Sequence, residues 1–298
     1  MKFKVLTYNN GVGIVTDGEL ITKLIKDHIT ENVTLSFVNE FVIDKFDVGI
    51  WIQNFDINLL NCFKTNVFFI NEEWAGDHEL NNLHLFDYVV CKNSYAKELL
   101  KSHTNVVCLP FISKNMWCNT NSKNSYLHFA GRSIQKNTEL ILKQNIPITL
   151  IDPYNLHNPP NNVIHINNYQ SENELKIILN SHNIHICCSL YESWGHYLFE
   201  GLSTGAEIIC SDIPVFKEQL DPNLVHFVPT TENRDKNYIF DSEDRFPLRK
   251  SFHTDKKFLA NLIENFKPIE KSEERIKMFQ DIMEKNKNNI ILFLKSIY

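Results

Sequence analysis

Residues 191–212 read YESWGHYLFEGLSTGAEIICSD. Two glutamates, Glu192 and Glu200, stand eight positions apart around a glycine-containing turn, and an apolar segment of strand character follows. The run EGLSTGAEII carries Gly201, Ser203, Gly205 and Ala206, small residues that let a helix sit close against a sheet. Preceded by the apolar run IHICCSL, the stretch reads as strand, turn, helix, strand, the unit of a parallel α/β sheet. In such sheets ligands bind at the carboxyl ends of strands, where helices begin with unpaired N–H groups and a partial positive charge. A helix starting near Gly195 turns the amides of Gly195, His196, Tyr197 and Leu198 towards an anion, most simply a phosphate. Glycine at 195 permits close approach. Glu192 then lies in the turn and Glu200 about one and a half turns inside the helix, leaning back towards its N-terminus. Two carboxylates bordering one ligand accept pairs of hydrogen bonds, and vicinal hydroxyls are the obvious donors. A phosphate between two hydroxyl-bearing rings describes a nucleotide sugar. Taken alone, the spacing also fits a capping acid followed by a surface acid.

The alternation extends in both directions. Upstream strands are expected at KFKVLTY, VTLSFV, VGIWIQ, NVFFIN, YVVCKN and VVCLPF, with helices at DGELITKLIKDHI and SYAKELLKSH. Periodicity lapses in SKNMWCNTNSKNS (113–125), which reads as a linker. Beyond it come YLHFAG, ITLID, VIHIN, IHICCSL, EIICSD and VHFVP, with helices at NTELILKQN and SENELKIILNS. Residues 232–257 are charged and irregular and read as a surface loop. FLANLIENF and the segment opening with SEER read as terminal helices. The expected organisation is a Rossmann-like domain over 1–120, a second over 121–272, and C-terminal helices over 273–298 that cross between them.

Composition narrows the class. The chain has 298 residues, 43% of them hydrophobic, enough for two buried cores. No apolar run has the length of a membrane span, and MKFKVLTYNNGVG lacks the pattern of a secretory signal, so a cytoplasmic protein is expected. Seven cysteines without C-x-x-C spacing read as reduced small hydrophobes. The net charge of −6, with ten lysines and no arginine against fourteen acids in the first 120 residues, gives nucleic acid no electrostatic footing. Sugar transfer onto DNA bases is disfavoured on the same ground.

The block from Asn162 to Leu220 resembles the donor-binding half of the retaining, glycogen-synthase-like glycosyltransferases of the GT-B fold. Phosphatidylinositol mannosyltransferases and sucrose synthases belong to this family. Its signature of a glutamate, seven residues and a second glutamate is met by Glu192 and Glu200, with Gly195 between them. The resemblance implies two parallel-sheet domains facing a cleft. It assigns Glu192 to a hydroxyl of the transferred sugar and Glu200 to the nucleotide ribose. HFAGRSIQK resembles the family's strand end with glycine, arginine and lysine, giving Gly131, Arg132 and Lys136; the cations would neutralise the departing diphosphate. Two solvated cations at a helix start would also fit. Tyr169 is the aromatic available near the expected nucleobase, although a tyrosine covering a sheet edge fits as well. Gly11 and Gly13, in NNGVG, resemble the glycine loop under the donor phosphates, or an ordinary tight turn. Where several family members carry a histidine near the reacting carbon, this chain has Glu72, with His78 a few residues on; each is otherwise a loop or surface residue.

The expected reaction is metal-independent sugar transfer from a UDP- or GDP-sugar, used as substrate with no cofactor, to an acceptor with retention. The acceptor is left open among glycan, lipid, protein and small molecule. A nucleotide-sugar epimerase of the same fold and a non-catalytic nucleotide- or carbohydrate-binding subunit are the alternatives.

Overall fold

The computed structural model describes every residue except 10–12, 43, 104, 132–133, 234–245, 268–269 and 298. The chain divides into two compact units: Met1–Ile112 with Asp235–Arg249 and Met283–Tyr298, and Ser113–Arg234 with Lys250–Ile282.

In the first unit, six parallel strands form one sheet: β1 (Phe3–Thr7), β2 (Val33–Phe37), β3 (Phe46–Ile52), β4 (Phe63–Phe69), β5 (Tyr88–Cys91) and β6 (Val106–Cys108), in the order β2-β1-β3-β4-β5-β6. The strands are near-continuous apolar runs because helices and loops cover both faces. Helix α1 (Gly13–His28) buries Ile14, Ile21, Leu24 and Ile25, a helical stripe against the sheet. Trp51, Phe68, Ile70 and Phe86 anchor the core. Each contributes on the order of 1.5–3 kcal/mol by leaving water. The short helices α2 (Asp77–Asn81) and α3 (Ser94–Leu99) follow β4 and β5; Asn93 caps α3 by accepting from the Ala96 N–H at 2.7 Å.

The second unit repeats the architecture with β7 (Lys123–Phe129), β8 (Ile148–Ile151), β9 (Val163–Ile166), β10 (His182–Cys187), β11 (Glu207–Ser211) and β12 (His226–Val228). Their order is β12-β11-β10-β7-β8-β9, all parallel, so the direction of winding reverses between β7 and β10. The connecting helices are α4 (Thr138–Leu142), α5 (Glu172–Ser181), α6 (His196–Ser203) and α7 (Pro214–Gln219). Helix α5 starts in a capping box between Ser171 and Glu174.

Two expectations are corrected. Residues 232–257 are not simply a loop. Thr230–Asn233 (β13) pairs antiparallel with Ser251–Thr254 (β14), and α8 begins at Lys256 behind an Asp255 cap and runs to Glu264. Short Thr- and Ser-rich strands lack the apolar alternation that would reveal them. The segment at 113–125 is also less loose than a linker. Met116 is buried, its N–H donates to Ser203 Oγ (2.9 Å), and its carbonyl accepts from Asn180 Nδ2 (2.6 Å). Helix α9 (Glu273–Ser296) belongs to the second unit through Ile282 and to the first from Met283. Among the described residues no helix is long and apolar enough to cross a membrane.

Candidate functional site

The reversal between β7 and β10 opens a crevice at the carboxyl ends of those strands, the usual ligand position in an open α/β sheet. Two chain segments meet there. One leaves β7 through Gly131, whose φ of 63° lies in the left-handed region, and passes through a 3-10 turn at Ile134–Lys136 into α4. The other leaves β10 through Ser189 and Glu192 and enters α6 at Gly195.

Glu192 joins them. Its Oε1 accepts from Lys136 Nζ at 2.5 Å and from Ser189 Oγ at 2.9 Å, and its Oε2 accepts from Gln135 Nε2 at 3.0 Å. The Leu190 N–H donates to the Gln135 carbonyl at 2.7 Å, which ties the two loops through their backbones as well. A carboxylate offers about four lone-pair sites; three are taken, and one remains for a ligand.

Gly195 has φ 92° and caps α6. A Cβ there would lie 2.6 Å from Phe216 Cε1, so glycine is required by conformation and by space. Beyond it, the Leu198 N–H donates to the Gly195 carbonyl at 3.0 Å. Leu198 is therefore committed within the helix, and its expected place among the anion-facing amides is corrected; Gly195, His196 and Tyr197 stand ahead of it in the turn. The Tyr197 side chain faces the core, where its hydroxyl donates to the Leu127 carbonyl at 3.1 Å and its ring stacks on His185.

His196 is fixed from behind. Trp194 Nε1 donates to Ser113 Oγ at 2.9 Å, and Ser113 Oγ lies 3.0 Å from His196 Nδ1. Ser113 Oγ thus bridges the Trp194 indole and the His196 ring. Trp194 is itself buried and stacked on Phe199 at 4.2 Å.

Glu200 contrasts with Glu192. No hydrogen bond or ion pair holds its carboxylate among the described residues. Desolvation raises its pKa, while His196, Lys114 and Lys136 oppose that rise and Glu172 adds to it. Lys136 thus acts on both acids.

Gly11 and Arg132 lie outside the described residues. Tyr169, after β9, is 79% exposed. Gly13, Glu72 and His78 belong to the first unit. Gly13 is the exposed first residue of α1. Glu72 is buried in a 3-10 turn and accepts from Asn93 Nδ2 at 3.1 Å. His78, exposed on α2, stacks on Phe55 at 4.9 Å. Gln135, Ser189, Ser113 and Trp194 were not expected at the site. Gln135 stood next to Lys136 in the sequence, but a lone glutamine carries no signal.

No family model matches the chain, and no curated protein matches it. Solved structures do. Sucrose-phosphate synthase from Thermosynechococcus elongatus superposes with a TM-score of 0.67 at 11% identity, over 100% of this chain and 99% of that one. HepE from Anabaena in complex with UDP-glucose gives 0.67 at 10% identity, with both chains covered completely. The GtfA/B complex gives 0.57 at 9% identity over 85% of this chain, which spans 57% of that longer one. At these identities the likeness is one of fold: the protein has the α/β GT-B fold of two Rossmann-like parallel-sheet domains.

Proposed function

We propose that this protein is a glycosyltransferase that takes a sugar from a nucleotide diphosphate sugar, UDP- or GDP-linked, and passes it to an acceptor with retention and without a metal. The observation that carries the reading is the arrangement at the β7/β10 reversal. Lys136 and Glu192 lock two strand-end loops together, and on the next helix turn Glu200 keeps a desolvated carboxylate without a protein partner. The fold it shares with a UDP-glucose-bound protein supports the same conclusion.

In this reading the first-turn amides of α6, Lys136 and, by resemblance, Arg132 receive the diphosphate as it leaves with the electron pair of the anomeric C–O bond. The acceptor hydroxyl adds on the face the diphosphate vacates, and its proton passes to a departing phosphate oxygen, so no covalent enzyme intermediate is needed. Glu192 accepts a hydroxyl of the transferred sugar through its remaining lone-pair site, and Glu200 accepts the ribose hydroxyls. The site lies in a cytoplasmic enzyme on this view.

A panel of UDP-, GDP- and ADP-sugars, scored by thermal stabilisation, tests the proposal. One nucleotide class should raise the melting temperature selectively; at a hundred times Kd the gain is about 2.7 kcal/mol. If none of the panel stabilises the pure protein, the donor reading is wrong.

A further inference from the structure

The first unit has its own winding reversal. In the order β2-β1-β3-β4-β5-β6 it falls between β1 and β3, again a ligand position at the carboxyl ends of strands. Gln53 is the first residue beyond β3. Its N–H continues the ladder by donating to the Phe69 carbonyl at 2.8 Å, yet its φ is 69°, a left-handed conformation that favours glycine. The residue is only 7% exposed, and its Oε1 is buried without a hydrogen-bond partner among the described residues. At the end of β4, Asn71 Oδ1 is in the same state. Buried charged groups beside them do have partners. Lys92 pairs with Asp17 at 2.5 Å, and Glu72 accepts from Asn93. Buried carboxamides are rarely left unpaired, so two at one rim require an explanation.

We propose that this rim is a subsite for a non-phosphorylated polyhydroxyl acceptor, bound through the Gln53 carboxamide. The inference rests on the glycosyl-transfer reading, whose acceptor it defines by class. A carboxamide offers both an acceptor and donors, the match for a sugar hydroxyl. The β1/β3 register ends at the Leu6–Trp51 pair, and Tyr8 and Gln53 each lie two residues beyond it, at the same end of the sheet. Burial, then the charges of Asp56 and Glu79, push the Tyr8 phenol up, so its O–H stays protonated as a second hydroxyl-matching group. Those same acids, with Glu72, oppose a phosphate. The cations described at this end of the sheet are committed. Lys92 is held by Asp17 beneath the Phe111 ring. Arg249 lies between Trp74 and Phe246 and donates from Nε to the Glu73 carbonyl at 2.8 Å.

Gln53→Gly is the informative variant, because glycine suits the observed φ and leaves the fold intact. Wild type and variant are titrated by calorimetry, in the presence of UDP, with glucose, galactose, fructose and maltose and with the 6-phosphates of the three monosaccharides. The melting shift given by UDP alone is recorded in parallel. The expected result is that a neutral sugar binds wild type in preference to its 6-phosphate. Gln53→Gly then loses that binding by about tenfold or more, the factor carried by one buried hydrogen bond, while melting temperature and UDP shift are retained. Preference for the 6-phosphates, equal sugar binding by Gln53→Gly, or a UDP response with no sugar binding would each overturn the acceptor assignment. Sugar binding that depends on Gln53 without any nucleotide response would instead remove the donor reading and leave this subsite standing.

Discussion

Glu192 and Glu200 differ in what the protein has already given them. Glu192 accepts from Lys136, Ser189 and Gln135, so its charge is compensated before any ligand arrives. Glu200 has no such donors, and desolvation raises its pKa. In the folded protein its charged form is therefore disfavoured relative to the unfolded chain. That penalty is present at neutral pH and is relieved as pH falls towards and through the raised value. Glu200→Gln should accordingly make the ligand-free protein more stable at neutral pH and flatten this part of its pH dependence. The same change should weaken nucleotide-sugar binding by roughly 1.5–3 kcal/mol, the range for a hydrogen bond to a charged group. Melting curves at several pH values and donor titrations check both sides. A variant that loses stability and keeps full donor affinity would assign Glu200 a structural role instead.

At the scale of the element, α6 fits its place because it is lined with small residues where it meets the sheet. A Cβ on Gly201 would lie 2.5 Å from His185 Nδ1 and 3.3 Å from Ile208 Cδ1. Alanine in a helix interior normally gains about 0.5–1 kcal/mol over glycine. Here overpacking, typically 1–3 kcal/mol, should win, so Gly201→Ala is expected to destabilise by about 1–2 kcal/mol. Denaturant midpoints at unchanged slope would show it; a stabilised variant would mean that α6 is free to move away from β10. The small residues, the glycine turn and the spacing of the two glutamates were legible in the sequence because they are local. So were the strands of both sheets, whose apolar runs are long enough to stand out. The short β13/β14 pair was not legible, its residues being polar and without period. Nor were Gln135 and Ser113: their partners Glu192 and Trp194 lie 57 and 81 positions away, a proximity that only the folded sheet creates.

Across the whole molecule, the second unit stores a dependence on acid that follows from how its sheet is built. His128 and His185 are buried among apolar strands, and desolvation lowers their pKa values to about 4 and about 3; His182 is shifted the same way. Burial keeps each one neutral, and each has a defined hydrogen-bond partner. His128 Nδ1 donates to the Ile186 carbonyl (2.8 Å) while Nε2 meets Thr138 Oγ1 (2.9 Å). His185 Nε2 donates to the Leu179 carbonyl (3.0 Å), and His182 Nε2 lies 2.8 Å from Thr149 Oγ1. Because the unfolded chain takes up these protons near pH 6.5 and the folded sheet does not, their contribution is complete above that value. It is lost as pH falls from that value down to the folded ones, at about 1.4 kcal/mol per pH unit for each histidine, and the loss levels off below them. Glu200 works in the opposite direction, while Asp152 and Glu172, whose pKa values are lowered, add to the loss in acid. The expected outcome is that the second unit unfolds in acid between about pH 6 and pH 3, with amide exchange in β7 and β10 rising as it does. His128→Asn should reduce the slope, since asparagine can still reach a carbonyl and binds no proton. Were β7 and β10 to stay protected down to pH 3 in the unaltered protein, these histidines would have to be charged within the fold, and the electrostatics assigned to the site they support would need to be rebuilt from that charge.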